Sequence, residues 1–487
     1  MSQQDRTSNI VINHQTIKQV VDWLLPPTLF AGMTARGGAA WKPRMLAVAA
    51  LLWATSDQTN LKDRFAQARK IVGRIFRWQT PPGATYQGFI KMLRKWHNDL
   101  LAVILPHVRA NMQEVLSSQW KIAGYVVFAG DGSRIELART ASLEKAFSPR
   151  RKKSQKKKRG DKVRRCDTKN TAKRKAAKVR QRKKGQSNEA VEKKVNSPQI
   201  WLTLLWHVGT GLPWAWRSGP SDSSERGHLQ ELMSELPADS LITADAGFVG
   251  YDFWKVILDA GHHFAIRVGA NVRLIKQLGC ARQYGHTVYL WPDAAAKKKQ
   301  PPLVLRLIVI RGGKHQVYLV TDLTKSQLSN RQATTIYGAR WGIELFFRTL
   351  KQTFGRRKLR SRSAENAPLE LDWSLLGLWC VCLLGQRELA ESGEDRPRLS
   401  PATAIRAFQS TLRDWRVRPE CQSDNLWSQL QNALLDDYER TCKTSRNYPR
   451  KKKRQRVAAP KITKATKQQI HAAKELKQQQ QELRLTA

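Results

Sequence analysis

The chain has 487 residues, with 86 Lys plus Arg against 39 Asp plus Glu and a formal net charge of +47. That length is ample for a real core and for more than one domain. A charge that large excludes little about fold but points to a polyanionic partner, most simply nucleic acid. The excess is concentrated: residues 150–194 hold 22 Lys/Arg and four acids, and residues 443–487 hold 14 Lys/Arg and two acids. Six scattered cysteines with no CxxC pair give neither a zinc site nor a disulfide framework, which fits a reducing compartment. The N-terminus lacks a signal-peptide layout, and the longest apolar runs, near 45–54 and 373–385, look too short for a bilayer. We therefore expect a soluble, cytoplasmic protein with no membrane partner.

Residues 1–118 read as a helical, DNA-binding domain. Apolar positions recur at helical spacing through 17–25, 45–55, 61–76 and 86–101, broken by Pro26-Pro27, Pro43 and Pro81-Pro82. The basic stretch 61–77 and the following 85–97, with Lys91, Arg94 and Lys95, suit contact with DNA, although a plain bundle with a basic exterior has the same pattern.

The period then changes. Residues 124–130 form a short β-branched and aromatic run, read as a buried strand ending on Asp131-Gly132-Ser133. Residues 149–197 are basic, low in complexity and unable to bury a core, so we expect a disordered insert that contacts DNA backbone. Residues 200–208 and 213–218 flank Gly209-Thr-Gly211 as a hairpin, and 223–236 reads as a helix capped by Ser or Asp. Residues 241–244 read as a strand ending on Asp245-Ala246-Gly247, followed by a helix at 251–260 and a strand at 262–268.

This order predicts an α/β catalytic domain over 119–400, a mixed sheet flanked by helices. Short β runs at 287–291, 303–311 and 316–321 mark a β-rich insertion over 270–323. A proline-free stretch at 331–354 and an apolar one at 371–384 read as helices. Residues 401–487 read as a C-terminal helical segment, with candidates at 402–413 and 425–438, and a basic tail.

Within 331–354, about 100° per residue brings Tyr337, Arg340, Glu344 and Lys351 within roughly 60° of one another on a single helix. Any one acid–base pair here could be an ordinary exposed ion pair. The four together are far more specific. Asp131 and Asp245, each at a strand end and followed by a small residue, would join Glu344 where catalytic groups collect in open sheets. Three carboxylates there would hold two hard divalent ions, Mg²⁺ or Mn²⁺, suited to phosphodiester cleavage and strand transfer.

The chain resembles DDE transposases of the insertion-sequence-4 group, which have a ribonuclease H-like core. Tyr337, Arg340, Glu344 and Lys351 match that group's Tyr-x2-Arg-x3-Glu-x6-Lys signature without a gap, and the contexts of Asp131 and Asp245 are similar to its acid motifs. The resemblance spans roughly residues 120–385. It implies that Asp131, Asp245 and Glu344 are the catalytic, metal-binding triad. It also implies that Tyr337, Arg340 and Lys351, with Arg348 beside them, hold phosphates of the cleaved DNA end. In some relatives an aromatic of the β insertion stacks on a flipped base; Tyr318 lies in the matching stretch with Trp291 as its rival, while both also read as plain core aromatics of the insertion. Binding of terminal inverted repeats, end cleavage, joining to target DNA and a homodimer on DNA follow as expectations. A catalytically silent DNA-binding derivative and a nuclease using the same triad stand as alternatives. A structural nucleic-acid packaging protein, suggested by charge alone, is a distant third.

Overall fold

The computed structural model describes residues 17–35, 38–77, 81–149, 197–279, 286–311, 316–391, 399–417 and 458–485. The expected insert at 150–196 and the expected helix at 425–438 lie outside them. Four N-terminal helices come first: α1 (Ile17–Leu24), α2 (Pro43–Thr55), α3 (Leu61–Ile75) and α4 (Tyr86–Val115). Pro43 opens α2 at the position where its missing N–H costs nothing, while Asn60 and Thr85 cap α3 and α4 through their side chains. Helix α4 runs fourteen residues past the expected end and continues through Pro106. Leu100, Ile104, Val108 and Met112, four residues apart and fully buried, keep one face in the core and offset the lost hydrogen bond.

The sheet carries the site. Strands β1 (Val127–Glu136), β2 (Gln199–His207) and β3 (Leu212–Gly219) form an antiparallel meander, and β4 (Leu241–Ala244) and β5 (His263–Val268) run parallel to β1. The order β3-β2-β1-β4-β5 with those directions is the ribonuclease H-like core expected above. The expected β insertion continues the same sheet. Its strands β6 (Arg273–Lys276), β7 (Thr287–Leu290), β8 (Leu303–Ile310) and β9 (Val317–Thr321) extend the same sheet, because β9 pairs antiparallel with β5. A tenth strand, β10 (Lys461–Lys464), comes from the basic tail and pairs parallel with β6. It was not foreseen, since all four of its residues are exposed and show no pattern of burial.

Helices cover the sheet. In chain order they are α5 (Ala141–Phe147), α6 (Glu225–Glu231), α7 (Tyr251–Asp259), α8 (Asp293–Lys297), α9 (Asn330–Ala339), α10 (Gly342–Arg348), α11 (Asn366–Glu391), α12 (Pro401–Val417) and α13 (Lys467–Leu485). Helix α11 corrects one expectation: it is long and apolar enough to cross a membrane. It is instead a core helix, packed against α2, α4, α12 and β3. Its Glu370 accepts from Arg64 Nη1 at 3.2 Å and from the Arg360 and Ser361 N–H groups, so this buried acid is fully paired. Arg356, buried throughout, donates to Ala54 O and Ser56 O at the end of α2, to Phe354 O, and to Ser374 Oγ on α11. These bonds tie the N-terminal helices to the chain that leaves α10.

Candidate active site

Two expectations about local geometry need correction. Asp131 does not end a strand; it lies inside β1, paired with Leu204 of β2. What stops beside it is the parallel neighbour, since β1–β4 pairing runs from Val127–Leu241 to Gly130–Ala244. Asp131 and Asp245 therefore each directly follow the last β1–β4 pair, Asp131 within β1 and Asp245 just beyond the end of β4. Asp245 caps a 3₁₀ turn, accepting from Gly247 N–H at 2.7 Å, and Asp131 accepts from Gly132 N–H at 2.9 Å.

Nor is 331–354 one helix. Helix α9 ends at Ala339, and the chain tightens through i→i+3 bonds from Trp341 N to Gly338 O, Ile343 N to Arg340 O and Glu344 N to Trp341 O. After α10 it widens into a π turn, Thr349–Thr353, closed by Phe354 N to Thr349 O at 2.8 Å. Gly342 lets α10 come down on β2, because a methyl group there would sit 3.1 Å from Trp206 Nε1.

Three of the four signature residues stand together, and Lys351 lies apart, against β1. Arg340, only 6% exposed, donates from Nη2 to Glu344 Oε1 at 3.2 Å and lies 5.4 Å from the Tyr337 ring centroid. Its Nε has no hydrogen-bond partner among the described residues. Lys351 reaches β1 from the π turn and donates to Ser133 Oγ at 2.6 Å. Arg348 is exposed, with no ion pair among the described residues. Tyr318 is half-buried on β9 opposite Val268 of β5, and its hydroxyl donates to Gln316 Oε1. Trp291 is buried with its Nε1 bonded to Gln300 O, a core position. Trp341, at the break between α9 and α10, is 46% exposed and was not singled out by spacing.

Electrostatics join the acids. Burial pushes the Asp131 carboxyl up to about 7, with Asp245 and Glu344 adding to the rise and the Gly132 N–H and Arg340 opposing it. Burial also lowers the Lys351 ammonium, helped by Arg357, while Glu136 and Asp131 pull the other way. A fourth acid, Glu225 at the start of α6, is raised first by burial and then by Asp245, against Arg134 and Arg226. Sequence spacing missed it.

The Asp131 shift has a testable consequence. Its folded pKa, about 7, lies above the ordinary 3.8, so the folded state holds this proton more tightly than the unfolded state. The resulting stability is present in acid and is lost as pH rises through about 7. The melting temperature of the metal-free protein, relative to Asp131→Asn, is expected to fall between about pH 4 and 7. Adding Mg²⁺ at pH 7 to 8 should raise it again. Parallel melting curves for the two proteins across that range would refute the assignment.

No three His, Cys, Asp or Glu side chains among the described residues stand close enough to close around one ion. Each acid is instead held by another partner, a backbone N–H or Arg340. The donor chemistry nonetheless fits a hard divalent cation, since carboxylate oxygens dominate and one guanidinium faces several negative charges.

Comparison with known proteins gives the family. A family model described as a transposase DDE domain matches residues 123–380. The transposase InsG of insertion sequence element IS4 from Escherichia coli (strain K12) is 27% identical over 189 residues. That alignment covers 37% of this chain and 42% of the relative, so the chain matches less than half of that protein's length. The piggyBac transposase synaptic complex with hairpin DNA aligns over 88% of this chain and 87% of that one, at TM-score 0.38 and 11% identity. That last likeness is too low to carry any argument. The family match spans more than half of the sequence and contains Asp131, Asp245 and Glu344, and the chain belongs to the transposase DDE domain family.

Proposed function

We propose that this chain binds the terminal inverted repeats of its own element, cleaves the DNA at the element ends and joins the freed 3′-hydroxyls to target DNA. The observation that supports the reading is that Asp131 and Asp245 each directly follow the last β1–β4 pair, with Glu344 and Arg340 close enough to act on the Asp131 carboxyl. Asp131, Asp245 and Glu344 would hold the divalent ions, Mg²⁺ or Mn²⁺. Such ions activate a water or hydroxyl and stabilise the leaving oxygen of an in-line displacement. Tyr337, Arg340, Arg348 and Lys351 would fix phosphates: Arg340 as a buried fork with a free N–H, Lys351 as a point charge. Tyr318 and the exposed Trp341 offer aromatic faces for an unstacked base. Bringing two element ends together requires two copies, so a homodimer on DNA in the bacterial cytoplasm is part of the proposal. The residue ranges 1–118, 119–400 and 401–487 stand as its working domain division.

The test uses a plasmid bearing the two DNA ends that flank the gene. Purified protein with Mg²⁺ is expected to release the end-bounded fragment and to insert it into a second plasmid, and chelation is expected to stop both. Release without insertion would recast the chain as a nuclease. Binding of the ends with no release in Mg²⁺ or Mn²⁺ would recast it as a silent DNA-binding derivative.

A further inference from the structure

Between the π turn and α11 the chain crosses from the catalytic acids to the N-terminal helices, and residues 356–362 carry five cations in seven positions. Arg356 is buried and paired, as described above. The residues after it follow a two-residue period: Lys358, Arg360 and Arg362 are exposed, while Leu359 and Ser361 between them are buried. That alternation marks an extended chain lying on a core.

The backbone of this strip is held at nearly every residue. Glu136, at the end of β1, donates its N–H to Arg357 O at 2.9 Å and accepts from Leu359 N–H at 3.0 Å. Lys358 is thereby paired parallel with the strand that carries Asp131. The Arg360 and Ser361 N–H groups end on the buried Glu370 carboxylate, and Thr140 Oγ1 donates to Arg362 O at 2.9 Å. The outward side chains are the opposite case. Arg357 donates to Glu136 Oε1 at 3.2 Å in an exposed pair, but Lys358, Arg360 and Arg362 make no side-chain hydrogen bond or ion pair among the described residues.

Three cations fixed side by side repel one another, and a polyanion relieves that repulsion. The strip begins beside the candidate active site: Arg357 acts on the Lys351 ammonium, which is bonded to Ser133 of β1, two residues beyond Asp131. Its spacing also fits. Alternate residues of an extended chain are about 6.6 Å apart, and every second phosphate of one DNA strand lies about 6.8 Å further along the helix axis. Because the backbone is already fixed, little order has to be imposed on binding.

We propose that residues 358–362 form a docking strip for the phosphate backbone of DNA, gripping the duplex where it leaves the catalytic carboxylates. The inference rests on the DNA-cleaving reading above and deepens it. Lys358, Arg360 and Arg362 supply affinity without sequence preference, apart from the signature residues that act at the reacting phosphates.

The test is fluorescence anisotropy of the full-length protein with two labelled duplexes, one bearing a DNA end that flanks the gene and one of scrambled sequence. Affinity is measured over a series of KCl concentrations without divalent metal. The triple variant Lys358→Gln/Arg360→Gln/Arg362→Gln is expected to lower the slope of log affinity against log salt by about 2–3 on both duplexes, close to one per lost phosphate contact. The same charge removed from the exposed end of α8 and the residues just beyond it, as Lys297→Gln/Lys298→Gln/Lys299→Gln, is expected to change the slope by less than about 1. Circular dichroism melts check folding. If the triple variant melts early, the single variants Lys358→Gln and Arg362→Gln decide, each expected to lower the slope by about 1. A strip variant that overlays a salt-dependent wild type overturns the proposal alone. So does an equal loss in the α8 variant, which would leave net charge as the whole effect. A wild type with no salt-dependent affinity for either duplex would take down the reading of DNA as substrate as well.

Discussion

Replacing Glu344 with Gln is expected to lower the rate of metal-dependent end release by at least about 10³-fold while leaving affinity for the DNA ends within about twofold. The amide keeps the size and shape of the side chain, and its carbonyl can still accept from Arg340 Nη2 as the carboxylate does at 3.2 Å. Helix α10 and its seat on β2 are therefore preserved. What is lost is one negative charge from a set that already faces Arg340. A 10³-fold loss is about 4 kcal/mol of transition-state stabilisation, the scale of a removed metal ligand rather than of a surface ion pair. Single-turnover cleavage of end-bearing DNA at saturating protein measures it. A variant rate within tenfold of wild type would sink the role of Glu344 as a metal ligand.

Replacing Arg356 with Met is expected to destabilise the folded chain by about 3–5 kcal/mol, because several buried acceptors lose their donor together. Met fills much of the space but supplies no donors. The carbonyls of Ala54, Ser56 and Phe354 would then lose the guanidinium that serves them all, and each buried acceptor left unmet costs about 1–3 kcal/mol. Burial lowers the Arg356 pKa to about 9, still above neutral pH, so the group is a cation in the native core. Arg356→Lys keeps the charge but not the fork, and should recover less than half of the loss. Thermal or urea unfolding followed by circular dichroism decides the matter. A loss below about 1 kcal/mol would mean that the bonds are interchangeable with water.

Part of this site could be read directly in the sequence. The spacing Tyr337, Arg340, Glu344, Lys351 gave a single stripe on an ideal helix, and Tyr337, Arg340 and Glu344 do stand together. The helix that carries them is nevertheless broken at Arg340–Trp341 and wound too wide at Thr349–Thr353. The tight 3₁₀ junction and the π turn change the helix phase, so Lys351 leaves the stripe for Ser133 of β1, a distortion that the sequence does not announce. Asp131 was recognisable as an acid near a strand end. Its true position depends on where β4 leaves the sheet, which no residue of β1 records. Glu225 reads as a first-turn acid of the kind any helix dipole favours, and only the chain crossing of α6 over Gly132 sets it apart. Arg64, Arg356 and Glu370 are charged residues at positions of deep burial, the opposite of the usual pattern.

The last strand of the sheet is also the last to be made. Residues 461–464 pair with 273–276, about 190 positions earlier in the chain. At a synthesis rate of about 5–20 residues per second, β6 waits on the order of 10–40 s for its outer neighbour. During that interval it presents an open row of backbone groups, a template for pairing with other chains. Such a distant pairing also closes late in refolding, because the loop must form before the strand contacts reward it. Until residues 461–464 pair with it, the β6 edge stays open to strands of other chains.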